Sequence, residues 1–289
     1  MATIHDERGR AKDEEPGERA HEPAQEKTQE TAQEKARGAA HDTKAHAEQA
    51  AHELQRNVQR ERVPRRRALR RGRVLLVGYA LALAAVVVLA LAAHTATANG
   101  LPGDLPFTRE LQENRNPVVF GVLYFVSYIG FAPLSYIVPL VVLLGLVAAR
   151  LRLEAIFLAL SLLADAVGGL IKLVVGRQRP GSNLVHVVQQ LNSPSFPSGH
   201  TLHYTVFFGF LAFVLWTSFR GSWGRNLLVA ICALLVLLVG PSRVYLGEHW
   251  ASDVVGGYLI GGLCLVPLVA GYLWAKARFE SATLRRVRR

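Results

Sequence analysis

The stretch Ser195-Phe196-Pro197-Ser198-Gly199-His200 sits where a polar loop meets a long apolar run beginning at Thr201. Pro197 cannot continue a helix backwards, and Ser198 is a good N-cap whose hydroxyl can take up a free backbone N–H. Gly199 has no side chain, so a ligand can approach the backbone closely. The first N–H groups of a helix lack internal partners and point forward; such an end attracts anions, phosphate above all. His200 places an imidazole beside that anion, able to give or take a proton near neutral pH. The stretch reads as an anion cradle with an acid–base group at its lip.

Two further clusters carry matching chemistry. In Lys172-Leu-Val-Val-Gly-Arg-Gln-Arg179-Pro180, Lys172 falls on the last turns of an expected membrane helix. An ionisable side chain is costly there and points to function, the alternative being snorkelling to the headgroups. Arg179 offers a planar fork suited to phosphate oxygens. For Arg177 the lipid headgroups compete with that role, as for any cation in an interfacial loop. In Ser242-Arg243-Val-Tyr-Leu-Gly-Glu-His249-Trp-Ala-Ser-Asp253, a helix starting near Glu248 would make His249 and Asp253 neighbours at i, i+4. The carboxylate could then accept the Nδ1 proton and leave the Nε2 lone pair facing outward, the orienting role of the Asp in a Ser-His-Asp triad. Arg243 adds a phosphate-seeking cation.

Three cations, a helix N-terminus and two histidines suit phosphoryl transfer, where positioning and charge stabilisation dominate. His249, with its orienting carboxylate, reads as a nucleophile aimed at phosphorus. His200 reads as the general acid for the leaving oxygen. The outer face carries no carboxylate cluster of metal-ligand type, so a mechanism without metal or cofactor is expected.

These clusters must be positioned by membrane helices. Of 289 residues 51% are hydrophobic, yet the formal charge is +11, and the two are segregated along the chain. Residues 1–73 are polar and end in the basic block Arg65-Arg66-Arg67, Arg70-Arg71 and Arg73. With few aromatic or branched aliphatic residues they are expected to form a disordered or partly helical tail. No apolar run of secretory type precedes residue 74, so the tail is expected to stay cytoplasmic. Residues 74–275 carry runs long enough to cross a bilayer. Six spans are expected, near 74–96, 132–149, 153–175, 200–219, 226–241 and 252–274, in an all-α bundle, with a short lead-in helix before the second. Phe107 and Leu111 are spaced for one face of a short interfacial helix. Residues 276–289 form a basic tail. Arg150, Arg152, Arg220 and Arg225 stand at the inside turns, so both termini are expected in the cytoplasm and the three polar clusters at the outer face. The basic excess serves orientation, and no nucleic-acid partner is expected. Cys232 and Cys264 lie inside apolar runs and read as small buried hydrophobes.

Lys-x6-Arg-Pro, Pro-Ser-Gly-His and Ser-Arg-x5-His-x3-Asp, in this order, resemble the three signatures of the type-2 phosphatidic acid phosphatase superfamily, which is related to vanadium haloperoxidases. The resemblance covers roughly residues 74–275, and every signature position is filled. It implies that Lys172, Arg179, Ser198, Gly199 and Arg243 hold the phosphate, that His249 forms a phosphohistidine assisted by Asp253, and that His200 protonates the leaving group. It also implies metal independence and a six-helix core.

Around these, Asp165 stands seven residues before Lys172 on the same helical face and is read as pairing with a cation or lying in a polar cavity. His203 is read as structural, Glu248 as a solvated loop acid, and Tyr245 and Trp250 as lining the pocket mouth or marking the interface. The expected protein is a multi-pass membrane phosphatase acting on a lipid phosphate or pyrophosphate. Candidate substrates are phosphatidic acid, phosphatidylglycerol phosphate, diacylglycerol pyrophosphate and a polyprenyl pyrophosphate. Competing readings are a phosphotransferase with an alcohol acceptor, an anion transporter using Asp165 and Lys172, and an idle scaffold acting through the tail.

Overall fold

A computed structural model describes Gln49 and residues 72–287, with side chains as far as residue 279. The expectations for the tail 1–73, disorder included, fall almost wholly outside the described residues. The bundle is formed by the unit Val74–Arg289. Among the described residues it is all-helical: α1 Gly72–His94, α2 Asp104–Glu113, α3 Pro117–Tyr128, α4 Leu134–Ala148, α5 Arg152–Ser161, α6 Leu163–Val175, α7 Gly199–Ser218, α8 Trp223–Tyr245 and α9 Ala251–Val287.

Five of these segments are long and apolar enough to cross a membrane: α1, α5 with α6, α7, α8, and α9 as far as Phe279. Their outward residues need lipid. Leu75, Leu76 and Leu81 of α1 and Leu173 and Val174 of α6 are each more than 60% exposed, an apolar surface that water would not tolerate. The expected second span is the fifteen-residue α4, about 22 Å long and so shorter than a typical hydrocarbon layer. The lead-in helix before it is α3, which Asn116 caps by accepting from the N–H groups of Val118 and Val119.

Three boundaries differ from the sequence reading. The span 153–175 is broken at Leu162 into α5 and α6. Helix α8 runs through Pro241 to Tyr245, so Ser242 and Arg243 stand on its last turn and not in a loop. Helix α9 continues to Val287, past the expected end near Trp274.

Helix α7 is the centre of the bundle. It is apolar all round, and a helix of that kind belongs inside. Tyr204, Phe207, Phe208, Phe210, Leu211 and Val214 are buried against Leu146, Leu158, Val239 and Tyr272. Small residues let α9 lie almost against its backbone. A Cβ on Gly257 would come within 2.8 Å of the Ser198 carbonyl oxygen, and one on Gly261 within 2.7 Å of Thr205 Cβ. This is the small-residue seam by which membrane helices gain close packing. Its effect is to hold the N-terminus of α7 against the N-terminus of α9, where the Ser198 N–H donates to the Asp253 carbonyl at 3.0 Å.

Candidate functional site

The C-terminal ends of α6 and α8, the N-terminal ends of α7 and α9, and the loop 176–198 meet at one end of the bundle. All three sequence clusters lie there.

At the head of α7, Ser198 is the N-cap residue by position but its side chain does not cap the helix. Its oxygen instead accepts from the Thr201 hydroxyl at 3.0 Å. The leading N–H groups of α7 therefore keep their anion-attracting character. Lys172 does not snorkel outward. Its ammonium turns into the loop, donating to the carbonyls of Pro194 at 2.6 Å and Ser195 at 3.4 Å, and its Cε would lie 3.8 Å from a Cβ on Gly199.

Arg179 spans the loop and His249. Its Nε donates to the Ser193 carbonyl at 2.7 Å and its Nη2 to the Ser193 hydroxyl at 3.0 Å. Its Nη1 donates to the Glu248 carbonyl at 2.5 Å and to His249 Nε2 at 3.1 Å. Burial lowers the guanidinium to about 10, with Asp253 working in the opposite direction. A guanidinium has no lone pair to offer, so His249 Nε2 must be the acceptor and Nδ1 the protonated nitrogen. The imidazole itself is held well below the usual histidine range, first by burial and then by Arg179, Arg243 and Lys172. It is a neutral base with its lone pair among cations.

The expected Asp253–His249 hydrogen bond is not made directly. Asp253 Oδ2 lies 3.6 Å from His249 Nδ1, while Ser195 Oγ donates to Oδ2 at 2.5 Å and lies 3.4 Å from Nδ1. The reason is the helix start. Helix α9 begins at Ala251, so His249 precedes it and is not set one helical turn from Asp253. Asp253 Oδ2 also accepts from the Trp250 N–H at 2.9 Å. Gly247 makes the preceding turn possible: its φ is +70°, and a Cβ there would lie 2.1 Å from the His186 carbonyl oxygen.

Arg243 is fully buried and pairs with Glu248, while its Nη1 donates to Ser127 Oγ. Its guanidinium lies 5.0 Å from the centre of the Phe131 ring. Phe131 also meets His200 edge-on, with ring centres 4.6 Å apart. His200 Nε2 is buried without a hydrogen-bond partner. Gly130 is what makes room for it, since a Cβ there would stand 2.2 Å from His200 Cδ2.

A cleft of about 670 Å³ runs sideways from Lys172, Gly199 and His200 between α4, α6 and α7, past Tyr136, Leu140 and Leu143. Asp165 lies in it, bonded to His203 Nδ1 at 2.9 Å, so it has both a partner on α7 and a place in a polar part of the cleft. A larger cleft of about 890 Å³, lined by Arg109, Arg115 and His186, contains none of the predicted site residues.

Several side chains are not where the sequence reading put them. Glu248 is buried against Arg243 and not a solvated loop acid. Arg177 is buried between two carboxylates and does not meet headgroups. Trp250 is buried with its Nε1 donating to the Gln178 carbonyl and marks no interface, while Tyr245, nearly buried with its hydroxyl donating to the Asn114 carbonyl, lines the larger cleft. On α2 the buried residues are Asp104 and Thr108, while Phe107 is half exposed; the helix turns a polar face inward, and Leu111 packs beside Leu123 and Leu246. Ser127 and Asp104 were not singled out in the sequence, and Ser195, though part of the stretch before His200, was given no role beside His249 and Asp253. The only hint for Ser195 was its place two residues before Pro197. No group of His, Cys, Asp and Glu suited to hold a metal occurs among the described residues, and Cys232 and Cys264 are free thiols.

A cluster of three cations, a helix N-terminus and two histidines of different surroundings can hold a tetrahedral dianion and act on it from two sides. A model of the PAP2 superfamily matches residues 153–277, α5 through most of α9. Phosphatidylglycerophosphatase B of Bacillus subtilis is 29% identical over 191 residues, covering 64% of this chain and 90% of that protein. Undecaprenyl-diphosphatase of Sulfolobus acidocaldarius is 33% identical over 154 residues, 51% of this chain and 68% of that protein. Among solved structures, the transmembrane PAP2 type phosphatidylglycerolphosphate phosphatase from Bacillus subtilis shares the fold, with a TM-score of 0.57 and 23% identity over 66% of this chain and 94% of that one.

Proposed function

The chain belongs to the PAP2 superfamily of membrane phosphatases, and on that premise we propose that it hydrolyses the terminal phosphate of a lipid phosphomonoester or diphosphate through a phosphohistidine, without a metal. Lys172, Arg179, Arg243, Ser198 and the N–H groups at Gly199 hold the phosphate. His249 Nε2 attacks phosphorus as Arg179 swings from it to the phosphate oxygens. The P–O bond to the lipid breaks, and His200 gives its proton to the departing oxygen. Water then attacks the phosphohistidine, His200 takes up its proton, and phosphate leaves. Ser195 and Asp253 keep the Nδ1 proton in place and offset the positive charge that grows on the ring.

The observation that carries this reading is the orientation of His249: Nε2 receives the Arg179 N–H at 3.1 Å, and Nδ1 faces Ser195 and Asp253. A nucleophilic imidazole needs that tautomer. The side cleft lined by Leu140, Leu143 and Leu202 supports a lipid substrate, since its chain could stay among apolar side chains while its phosphate reaches Lys172. Candidate head groups are those of phosphatidic acid, phosphatidylglycerol phosphate and polyprenyl diphosphate; the two curated relatives bear names of the second and third kinds.

In this reading α4 makes the sixth crossing, both termini are cytoplasmic, and the site faces outward. Arg73, Arg150, Arg152, Arg220, Arg225 and Lys276 flank the helix ends opposite the site, which supports that orientation.

The test is a panel of lipid phosphates and diphosphates assayed for released phosphate in detergent. Wild type is expected to turn over at least one, and His249→Ala to fall to background while remaining folded. Near-normal turnover by His249→Ala would remove the nucleophile assignment. Products formed with added alcohols separate hydrolysis from transfer. Inhibition by EDTA would contradict the absence of a metal.

A further inference from the structure

We propose that Asp104 and Arg177 are positioning residues of this reaction: with Asp253 they form a buried line of charge that fixes the carboxylate behind His249 and keeps that side of the ring negative. The inference rests on the phosphatase reading above.

The line is continuous. Arg177 Nη2 donates to Asp104 Oδ2 at 2.7 Å, and Nη1 donates to Asp253 Oδ1 at 2.5 Å and to Ser252 Oγ at 2.7 Å. The side chains of Arg177, Asp104 and Asp253 are 1%, 4% and 0% exposed. A cation buried this deeply between two carboxylates becomes a liability as soon as either is removed. The two oxygens of Asp253 have separate work. Oδ1 is taken by Arg177, which leaves Oδ2 for Ser195, the Trp250 N–H and the neighbourhood of His249 Nδ1. Without Arg177 the carboxylate could turn about its own axis and that division would be lost.

Asp104 is itself held from four sides. Besides Arg177, its Oδ1 accepts from the Ser252 N–H at 2.9 Å, and its Oδ2 accepts from the Ser252 hydroxyl at 2.7 Å and the Leu101 N–H at 2.8 Å. The Ser252 N–H belongs to the first turn of α9, the helix that bears Asp253. Asp104 therefore caps that helix from α2 and at the same time balances Arg177. This explains why α2 turns a polar face inward.

The charge count carries the functional consequence. Two carboxylates and one guanidinium leave the line with one net negative charge. The imidazole gains positive charge as Nε2 bonds to phosphorus, and the line faces its Nδ1 side. Arg177 with Asp253 alone would be neutral, so Asp104 restores the charge the transition state uses. Phosphate binding belongs to other side chains and should be spared.

The test uses the full chain in detergent, with dioctanoyl phosphatidic acid and farnesyl diphosphate as probes. Asp104→Asn, close in shape but uncharged, is expected to lower kcat on the order of ten- to a hundredfold, the worth of one hydrogen bond to a charged group, with KM little changed. Arg177→Lys is expected to recover part of the activity lost in Arg177→Met. A folded Asp104→Asn variant with wild-type kcat, or Arg177→Lys no better than Arg177→Met while equally well folded, would overturn the inference and leave the phosphatase reading standing. Wild type inert toward every lipid phosphate and diphosphate would overturn both.

Discussion

Replacing Gly130 by alanine adds one methyl group and should remove most of the activity. Gly130 does not adopt a left-handed backbone conformation, so alanine is compatible with its main chain; such a change by itself tends to be mildly stabilising, by about 0.4–1 kcal/mol. The cost is elsewhere. The new Cβ would lie 2.2 Å from His200 Cδ2 and 2.6 Å from Nε2, where ordinary contact begins at 3.4 Å. The imidazole must move by about 1.2 Å, and a misplacement of about 1 Å can cost on the order of a hundredfold in rate. Phosphate release under saturating substrate measures the loss, and thermal unfolding in detergent confirms that the fold is kept. Because the loss acts through His200, it should vanish in a background that lacks the ring. The double variant Gly130→Ala with His200→Ala should be no slower than His200→Ala alone. A Gly130→Ala enzyme within threefold of wild type, or losses that multiply in the double variant, would refute His200 as the proton donor held against this glycine.

Three further outcomes are expected. Because burial and nearby cations hold the His249 imidazole below its usual range, and because its neutral form is the nucleophile, kcat should not fall as pH drops through 6.5; in Arg179→Met, with one cation gone, the acid limb should move to higher pH, and an unmoved limb would contradict the assignment. Arg179→Ala should weaken orthovanadate inhibition on the order of ten- to a hundredfold, as the loss of hydrogen bonds from a charged fork predicts, whereas equal inhibition would place the phosphate elsewhere. Gly257→Val should lower stability by about 1–3 kcal/mol through overpacking against Ser198 and Thr201, read as a fall in Tm, while Gly262→Val, with no atom within 4 Å of its added Cβ, should leave Tm unchanged.

The sequence alone determined five apolar helices long enough to cross a membrane and the three polar clusters, because both are written in local pattern. Apolar runs identify their solvent by length, and Lys172, Arg179, Ser198, Gly199, Arg243, His200, His249 and Asp253 stand at one end of the bundle as their places at helix ends implied. Local pattern also misled. A spacing of four suggested a direct bond between His249 and Asp253, but the helix begins two residues after His249 and Ser195 occupies the gap. What only the tertiary structure decided is which charges face one another across the chain. Asp104 and Arg177 are 73 positions apart, Arg177 and Asp253 are 76, and Asp104 and Ser252 are 148. No periodicity links such pairs. They are brought together where the start of α2 and the loop after α6 meet the first turn of α9, and only that packing decides which polar groups are sealed between them. A buried charge has to find its counter-charge wherever packing leaves one, and the one-dimensional pattern of Arg177 and Glu248, each beside other charges and polar residues, looks the same whether the side chain ends in water or in the core.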